Sequence, residues 1–114
     1  MKTILICGSR AWTNEQAIRN QIEIYRPLVI VNGGARGADT MAQNIALQLG
    51  ITTKQYLPDW KLYGRSAGIK RNIIMLDESR PDEVWAFQVN NSPGTSHMIK
   101  YATRKGCKVK VFHA

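Results

Sequence analysis

A glycine-rich stretch, Asn32 to Asp39, most constrains what this chain can fold into. The four residues before it, Leu28 to Val31, are apolar and mostly β-branched, which predicts a buried strand. The ten residues after it, Thr40 to Leu49, carry apolar side chains at helical spacing. A strand, a glycine-rich turn and a helix in this order aim free backbone N–H groups and the positive end of a helix dipole at an anion.

The residue types in this turn favour an anion site, although a turn that serves only close packing is the alternative. Its three glycines allow positive φ angles and let a ligand approach the backbone closely. Arg36 offers phosphate a planar fork of donors. Asp39, in the first turn of the helix, can accept from a ribose hydroxyl or from the same backbone N–H groups. The predicted ligand contacts of the turn are Gly33, Gly34, Ala35, Arg36, Gly37, Ala38 and Asp39.

The remainder of the chain alternates between strand-like and helix-like segments. Apolar runs predict further strands at 3–7, 51–57, 83–89 and 108–112, and helical spacing predicts helices at 13–24, 67–76 and 95–105. This alternation predicts one α/β domain over residues 1–114, with a Rossmann-like, doubly wound parallel sheet of about five strands and helices on both faces. In such sheets ligands bind beyond the carboxyl ends of the strands, where the candidate turns fall.

Local patterns set the expected ends and faces of the helices. Thr13, with Gln16 three residues later, predicts a capping box at the start of the first helix. In the helix that follows residue 66, Ile69, Ile73 and Leu76 predict an apolar face toward the sheet. Residues 58–65 are expected to form a loop.

Two other turns at the same edge carry candidate contacts. Gly8, Ser9 and Arg10 follow the first strand and offer N–H groups, a hydroxyl and a guanidinium, although a solvated arginine is equally compatible with the pattern. Gly94 and Thr95 open a helix after the fourth strand and suit a phosphate or a ribose, although they also suit an ordinary helix cap.

The segment from Asp59 to Asn72 supplies aromatic and basic candidates. Trp60 and Tyr63 can stack on a base, or they can pack the loop down as a hydrophobic latch. Arg71 and Asn72 lie early on the next helix, where an arginine is otherwise most often a solvated residue of the outer face.

Charge and composition limit the possible partners. The 114 residues carry a net charge of +8, which favours an anionic small molecule or a nucleic acid. No apolar run is long enough to cross a membrane, so we expect no membrane partner. Cys7 and Cys107 are expected to be free thiols in a reducing cytoplasm. His97 and His113 have no companions at ligand spacing, so no metal site is expected.

Four motifs in order resemble those of the SLOG superfamily, and in particular its small stand-alone YspA-type members. They are GSR from Gly8, GGARGAD from Gly33, DWKLYGRSAGIKRN from Asp59 and PGTSHM from Pro93, so the resemblance runs nearly the whole chain. It implies a Rossmann-like fold and a nucleotide or nucleotide-derived ligand. Some members of the superfamily are sensors in bacterial or phage conflict systems.

Two branches of that superfamily imply alternatives. The lonely-guy phosphoribohydrolases split nucleoside monophosphates with a helix arginine, matched here by Arg71, and with a glutamate, which is replaced here by Met98. Because a thioether cannot act as an acid or a base, we expect the chain to bind its ligand without turnover. We also expect that it requires no cofactor. The DNA-processing protein A group implies single-stranded DNA as a partner. Relatives also often pair, and an exposed Trp85 or Tyr101 would suit a homodimer.

Overall fold

A computed structural model, which describes residues 2–114, contains one five-stranded sheet. The strands are β1 (Thr3–Gly8), β2 (Val29–Asn32), β3 (Thr52–Gln55), β4 (Glu83–Gln88) and β5 (Lys108–His113). They pair in parallel in the order β3-β2-β1-β4-β5. The predicted α/β class, the Rossmann-like parallel sheet and the edge position of β3 are confirmed.

Four main helices cover the two faces of the sheet. They are α1 (Glu15–Tyr25), α2 (Ala38–Gln48), α4 (Ala67–Ser79) and α5 (Pro93–Arg104), and the short α3 (Trp60–Tyr63) with a 3₁₀ turn (Gly64–Ser66) precedes α4. Buried residues of α1 and α2 form one apolar cluster with the sheet, and those of α4 and α5 form a second cluster on the other face. This division follows from right-handed crossovers, because the chain moves first to one edge of the sheet and then to the other.

Strand β4 is buried along its whole length and joins the two cores. Trp85 and Phe87 face the α1 and α2 cluster, whereas Val84 and Ala86 face the α4 and α5 cluster. The expectation that Trp85 is exposed for pairing with a second copy was therefore wrong, since its side chain is 0% accessible and its ring packs edge-on against Tyr25.

The caps of two helices differ from the sequence-based expectations. Helix α1 begins at Glu15, so Asn14 rather than Thr13 occupies the N-cap, and its side-chain oxygen accepts from the N–H of Ala17 at 3.1 Å. Helix α5 begins two residues earlier than predicted, because Pro93 with its fixed φ is favoured in the first turn. Thr95 consequently lies inside the helix, where it is buried.

The segment between β3 and α4 is also more ordered than predicted. Residues 58–65 include α3, and they are not a simple loop. The buried residues of α4 are Ala67, Asn72, Met75 and Leu76. Ile69, which was predicted to face the sheet, is 47% exposed. The predicted apolar face is rotated because the polar residues near the start of α4 turn inward toward the edge of the sheet.

We predict that Gly8 is needed for the close approach of β1 to α2. A Cβ atom at this position would lie 2.5 Å from the Cβ of Ala38 and 2.6 Å from the carbonyl oxygen of Phe87. Gly8→Ala should therefore lower the free energy of unfolding by about 1–3 kcal/mol in urea denaturation. Gly68→Ala in α4, where an added Cβ has open space, is the control and should not destabilise the protein. Equal stability of the two variants would contradict this packing argument.

Candidate functional site

A cleft of about 430 Å³ opens at the carboxyl edge of the sheet. The turns that follow β1 and β2, the segment that follows β3, and α4 all contribute to its walls. Seven of the nine residues that line it are sequence-predicted contacts. The lining consists of Arg10, Gly33, Gly34, Ala35, Arg36, Leu57, Pro58, Trp60 and Arg71.

Three arginines converge on this cleft from three different elements. Arg10 follows β1, Arg36 lies in the β2–α2 turn and Arg71 lies on α4. No carboxylate belongs to the lining, and within residues 2–114 no salt bridge engages these three arginines. The cleft is therefore positively charged, and the exposed guanidinium groups of Arg10 and Arg36 are available to an anion.

The carboxylate of Asp39 braces the β2–α2 turn from behind the cleft. Its Oδ2 accepts from the backbone N–H of Gly33 at 2.8 Å, and the residue is only 3% exposed. Burial raises the pKa of Asp39 to about 6, although the Gly33 N–H and the nearby Arg71 guanidinium oppose that rise. Asp39 was predicted to accept either from a ribose hydroxyl or from the backbone N–H groups of the turn, and the structure shows the second of these contacts.

Asn32, which sequence reasoning did not single out, anchors the start of the same turn. Its side-chain oxygen accepts from the Gly34 N–H at 2.9 Å and from Gln55 Nε2 at 3.0 Å. Its amide nitrogen donates to Gln43 Oε1 at 2.8 Å, which ties the turn to α2. An asparagine between an apolar strand and two glycines is the only sequence signal for this anchor. Because the N–H groups of Gly33 and Gly34 are occupied, neither is free for a ligand.

Arg71 holds the turn through backbone contacts. Its Nη1 donates to the carbonyl oxygen of Gly33 and, at 3.3 Å, to that of Tyr56. Its Nε donates to Asn72 Oδ1 at 3.0 Å. A Cβ at position 33 would lie 2.9 Å from Arg71 Nε and 2.6 Å from Arg71 Cζ, so a side chain there would displace the guanidinium from its present position. Burial lowers the pKa of Arg71, which Asp39 counteracts, and the group stays protonated at neutral pH.

The turns after β1 and β2 press directly against each other. A Cβ on Gly37 would overlap the carbonyl oxygen of Ser9 and lie 2.7 Å from that of Arg10. Ser9 is buried, and its hydroxyl oxygen accepts from the N–H of Ala11 at 3.1 Å. The N–H of Ala38, the first residue of α2, lies 3.4 Å from the Ser9 carbonyl oxygen. Gly8, Ser9, Gly37, Ala38 and Asp39 therefore support the cleft from behind and do not line it.

Aromatic residues of α3 lie at the rim of the cleft. Asp59 caps this helix, since its Oδ1 accepts from the Leu62 N–H at 3.0 Å. Trp60 lines the cleft and is 53% exposed, so it is not a buried latch. Tyr63 is 38% exposed but lies outside the lining, with Lys70 Nζ 5.8 Å from the centre of its ring.

The predicted contacts on α5 do not join this cleft. Gly94 is exposed, and its carbonyl oxygen accepts from the buried Asn72 at 3.2 Å. The buried hydroxyl of Thr95 accepts from Ser92 Oγ at 3.1 Å. Met98, at the position of the phosphoribohydrolase glutamate, is fully buried in the apolar core of that face. Thus Asn72 connects Arg71 to the start of α5, while Gly94, Thr95 and Met98 do not face the cleft lining.

The remaining wall of the cleft was not anticipated. Leu57 and Pro58 follow β3, and the methyl group of Leu57 closes over Gly34. Their position directly after the third strand, at the same edge as the predicted turns, was the available signal. Across residues 2–114 no cluster of three metal-ligating side chains occurs and no helix is long and apolar enough to span a membrane. Both cysteines are free, as predicted.

Comparison with known proteins gives three likenesses. The family model described as "YspA, cpYpsA-related SLOG family" matches residues 2–63. The chain is 34% identical over 119 residues to the Gene 61 protein of Mycobacterium phage D29, covering 96% of this chain and 94% of that protein. Its fold is similar to that of DNA processing protein A from Streptococcus pneumoniae, with a TM-score of 0.61 and 18% identity.

The third likeness concerns the fold alone. The alignment covers 98% of this chain but 59% of the Streptococcus pneumoniae protein, so this chain spans little more than half of that structure. The phage protein, in contrast, is matched along nearly its full length.

The buried carboxylate of Asp39 predicts a pH-dependent stability. Because its pKa rises from an ordinary 3.8 to about 6 on folding, the folded protein holds this proton more tightly than the unfolded chain. Its contribution is greatest below about pH 4 and is lost as the pH rises through 6, by about 3 kcal/mol in total. Asp39→Asn, whose amide oxygen can still accept from the Gly33 N–H, should remove this dependence from urea unfolding measured between about pH 4 and pH 8.

The exposed Glu23 supplies the matched control, since Glu23→Gln should keep the pH profile of the unaltered protein. If Asp39→Asn and the unaltered protein lose stability in parallel over this range, the carboxylate does not carry the effect.

Proposed function

The chain belongs to the YspA, cpYpsA-related SLOG family, and on that premise we propose that it binds a nucleotide or a nucleotide-derived molecule in the arginine-lined cleft. One observation carries the proposal: three arginines from three elements meet beside a glycine-rich turn, with Trp60 at the rim and no carboxylate in the lining. We further propose that the chain acts as a single domain in the cytoplasm, as a sensor or binding protein that needs no cofactor.

The anionic part of the ligand would lie between Arg10 and Arg36. Helix α2 begins at this point without a side-chain cap, so the positive end of its dipole adds to the field of the two guanidinium groups. The N–H groups of Gly33 and Gly34 already have acceptors, and the N–H of Ala35 is directed at the Asp39 carboxylate. The backbone donor proposed for the ligand is therefore that of Arg36, which lines the cleft. Fewer backbone N–H groups are therefore proposed to contact the ligand than the sequence pattern of the turn predicted.

The base would lie at the apolar side of the cleft. The half-exposed Trp60 lines the cleft there, and Leu57 and Pro58 form the adjoining wall. An aromatic ring can stack on any base, because every base has a π face. A ligand with an anion at one end and a planar ring at the other therefore fits this lining, which is the form of a nucleotide.

We propose binding without turnover. Arg71, the candidate catalytic arginine, donates to two backbone carbonyl oxygens, and Met98 offers no proton-transferring group. The alternative is hydrolysis at the N-glycosidic bond of a nucleoside monophosphate. Release of free base by the purified protein, abolished in Arg71→Ala, would favour that alternative over simple binding.

A specific observation favours single-stranded nucleic acid as a second candidate partner. Residues 60–76 contain four cations and no carboxylate, and Trp60 and Tyr63 are exposed among them. Such a strip suits a phosphate backbone with stacked bases. Affinity that increases with strand length and falls steeply with salt would support this candidate, whereas a mononucleotide site predicts neither behaviour.

We predict that Arg36→Ala weakens a phosphorylated ligand far more than the matching nucleoside. Thermal shift against nucleoside mono-, di- and triphosphates, cyclic nucleotides, ADP-ribose, NAD and short single-stranded DNA identifies the ligand class. A ligand at about 100 times its Kd adds about 2.7 kcal/mol of stability, which shifts Tm by several degrees. Loss of a charge-assisted contact should then weaken the phosphorylated ligand by about 1.5–3 kcal/mol.

Arg104→Ala, at the exposed end of α5, is the matched control and should leave the shift unchanged. Equal losses for nucleotide and nucleoside in Arg36→Ala would remove this arginine from the anion site. Stabilisation by DNA alone would overturn the cleft as the principal site.

A further inference from the structure

We infer that an anion bound in the cleft competes with the buried carboxylate of Asp39 for the same positive charge, so that binding takes up a proton at Asp39. The inference rests on the proposed function of the cleft and specifies how that site responds to pH. It assigns to Asp39 a role in regulating affinity without any direct contact with the ligand.

Gly33 contacts the carboxylate and also lines the cleft. Its N–H donates to Asp39 Oδ2 at 2.8 Å on the inner side, and its carbonyl oxygen accepts from Arg71 Nη1. Both Gly33 and Arg71 line the cleft, whereas Asp39 is 3% exposed behind them. A ligand anion would therefore lie on the other side of this turn from Asp39. The positive charge of Arg71 would act on both the anion and the carboxylate.

Few other charges act on this carboxylate. Arg71 reaches it from α4, and the Cys7 thiol faces it from β1. Cys7 stays neutral because burial, and then the charge of Asp39, raise its pKa. The other elements that pack against α2, namely α1, β2 and β3, add no titratable group that acts on Asp39 in the described part of the chain. Arg10 acts on Arg71 and lowers its pKa.

The direction of the coupling follows from these charges. Burial raises the pKa of Asp39 to about 6, and the Gly33 N–H, followed by the charge of Arg71, limits that rise. An anion bound between Arg10 and Arg36, in the cleft that Arg71 also lines, adds a negative charge near the carboxylate and so favours its protonated form. The bound state then holds more protons than the free state, and linkage requires the affinity for anions to increase as the pH falls toward 6.

Inorganic sulfate tests this coupling, because it has the shape of a phosphate and its charge does not change in this pH range. Titration is followed by the backbone amide NMR signals of Arg36 and Gly37 at about pH 5.5 and about pH 7.5. If the anion raises the pKa of Asp39 from about 6 to about 7, its affinity falls roughly sixfold between the two conditions. Asp39→Asn should show no such fall.

Asp59→Asn is the matched control. This carboxylate adjoins the cleft residues Pro58 and Trp60 but is exposed, and asparagine can retain the cap on α3. We expect it to keep the pH dependence of the unaltered protein. The side-chain carboxyl ¹³C signal of Asp39 provides a second measurement that needs no variant, and its titration midpoint should move to higher pH when sulfate saturates the site.

The outcomes separate this inference from the function on which it rests. Sulfate that shifts the Arg36 and Gly37 amides with equal affinity at both pH values would overturn the proton coupling and leave the anion site standing. An unmoved Asp39 midpoint at saturation would do the same. Absence of any sulfate effect on these amides at either pH would overturn the proposed anion site and the coupling together.

Discussion

The bond from the Gly33 N–H to the buried carboxylate of Asp39 holds the turn on which the whole cleft depends. It fixes the start of α2 relative to the end of β2, and it places a negative charge within reach of Arg71. That charge keeps a partly buried guanidinium compatible with the interior, since an unpaired ion there would be costly. Arg71 in turn donates to the carbonyl oxygens of Gly33 and of Tyr56, the residue that follows β3.

Close backbone contact is the second constraint, and it explains why the arginines converge. The turns after β1 and β2 meet at Gly37, where no side chain fits between them. Gly33, which has no side chain, leaves room for the Arg71 guanidinium beside the turn. Because these glycines let three elements approach one another, Arg10, Arg36 and Arg71 line one space, which is where we propose that an anion binds.

The sequence predicted the fold and most of the cleft because both follow from the alternation of strands and helices. Parallel strands bring the turns after β1 and β2 to one edge, whatever their side chains are. The sequence did not predict that Asp39 and Asn32 would occupy the N–H groups of Gly33 and Gly34, because an acceptor in such a turn serves the chain or a ligand equally well. The sequence also placed Gly94 and Thr95 among the ligand contacts, although neither residue lines the cleft and the Gly94 carbonyl oxygen accepts from Asn72 instead.

A crystal structure with the nucleotide that most stabilises the protein tests the central claim directly. The account predicts that the anionic group lies within hydrogen-bond distance of the Arg10 and Arg36 side chains and that the base lies against Trp60. A nucleotide bound elsewhere, for example in the smaller cavity of about 250 Å³ beside Gln88, Asn90 and Asn91, would contradict it.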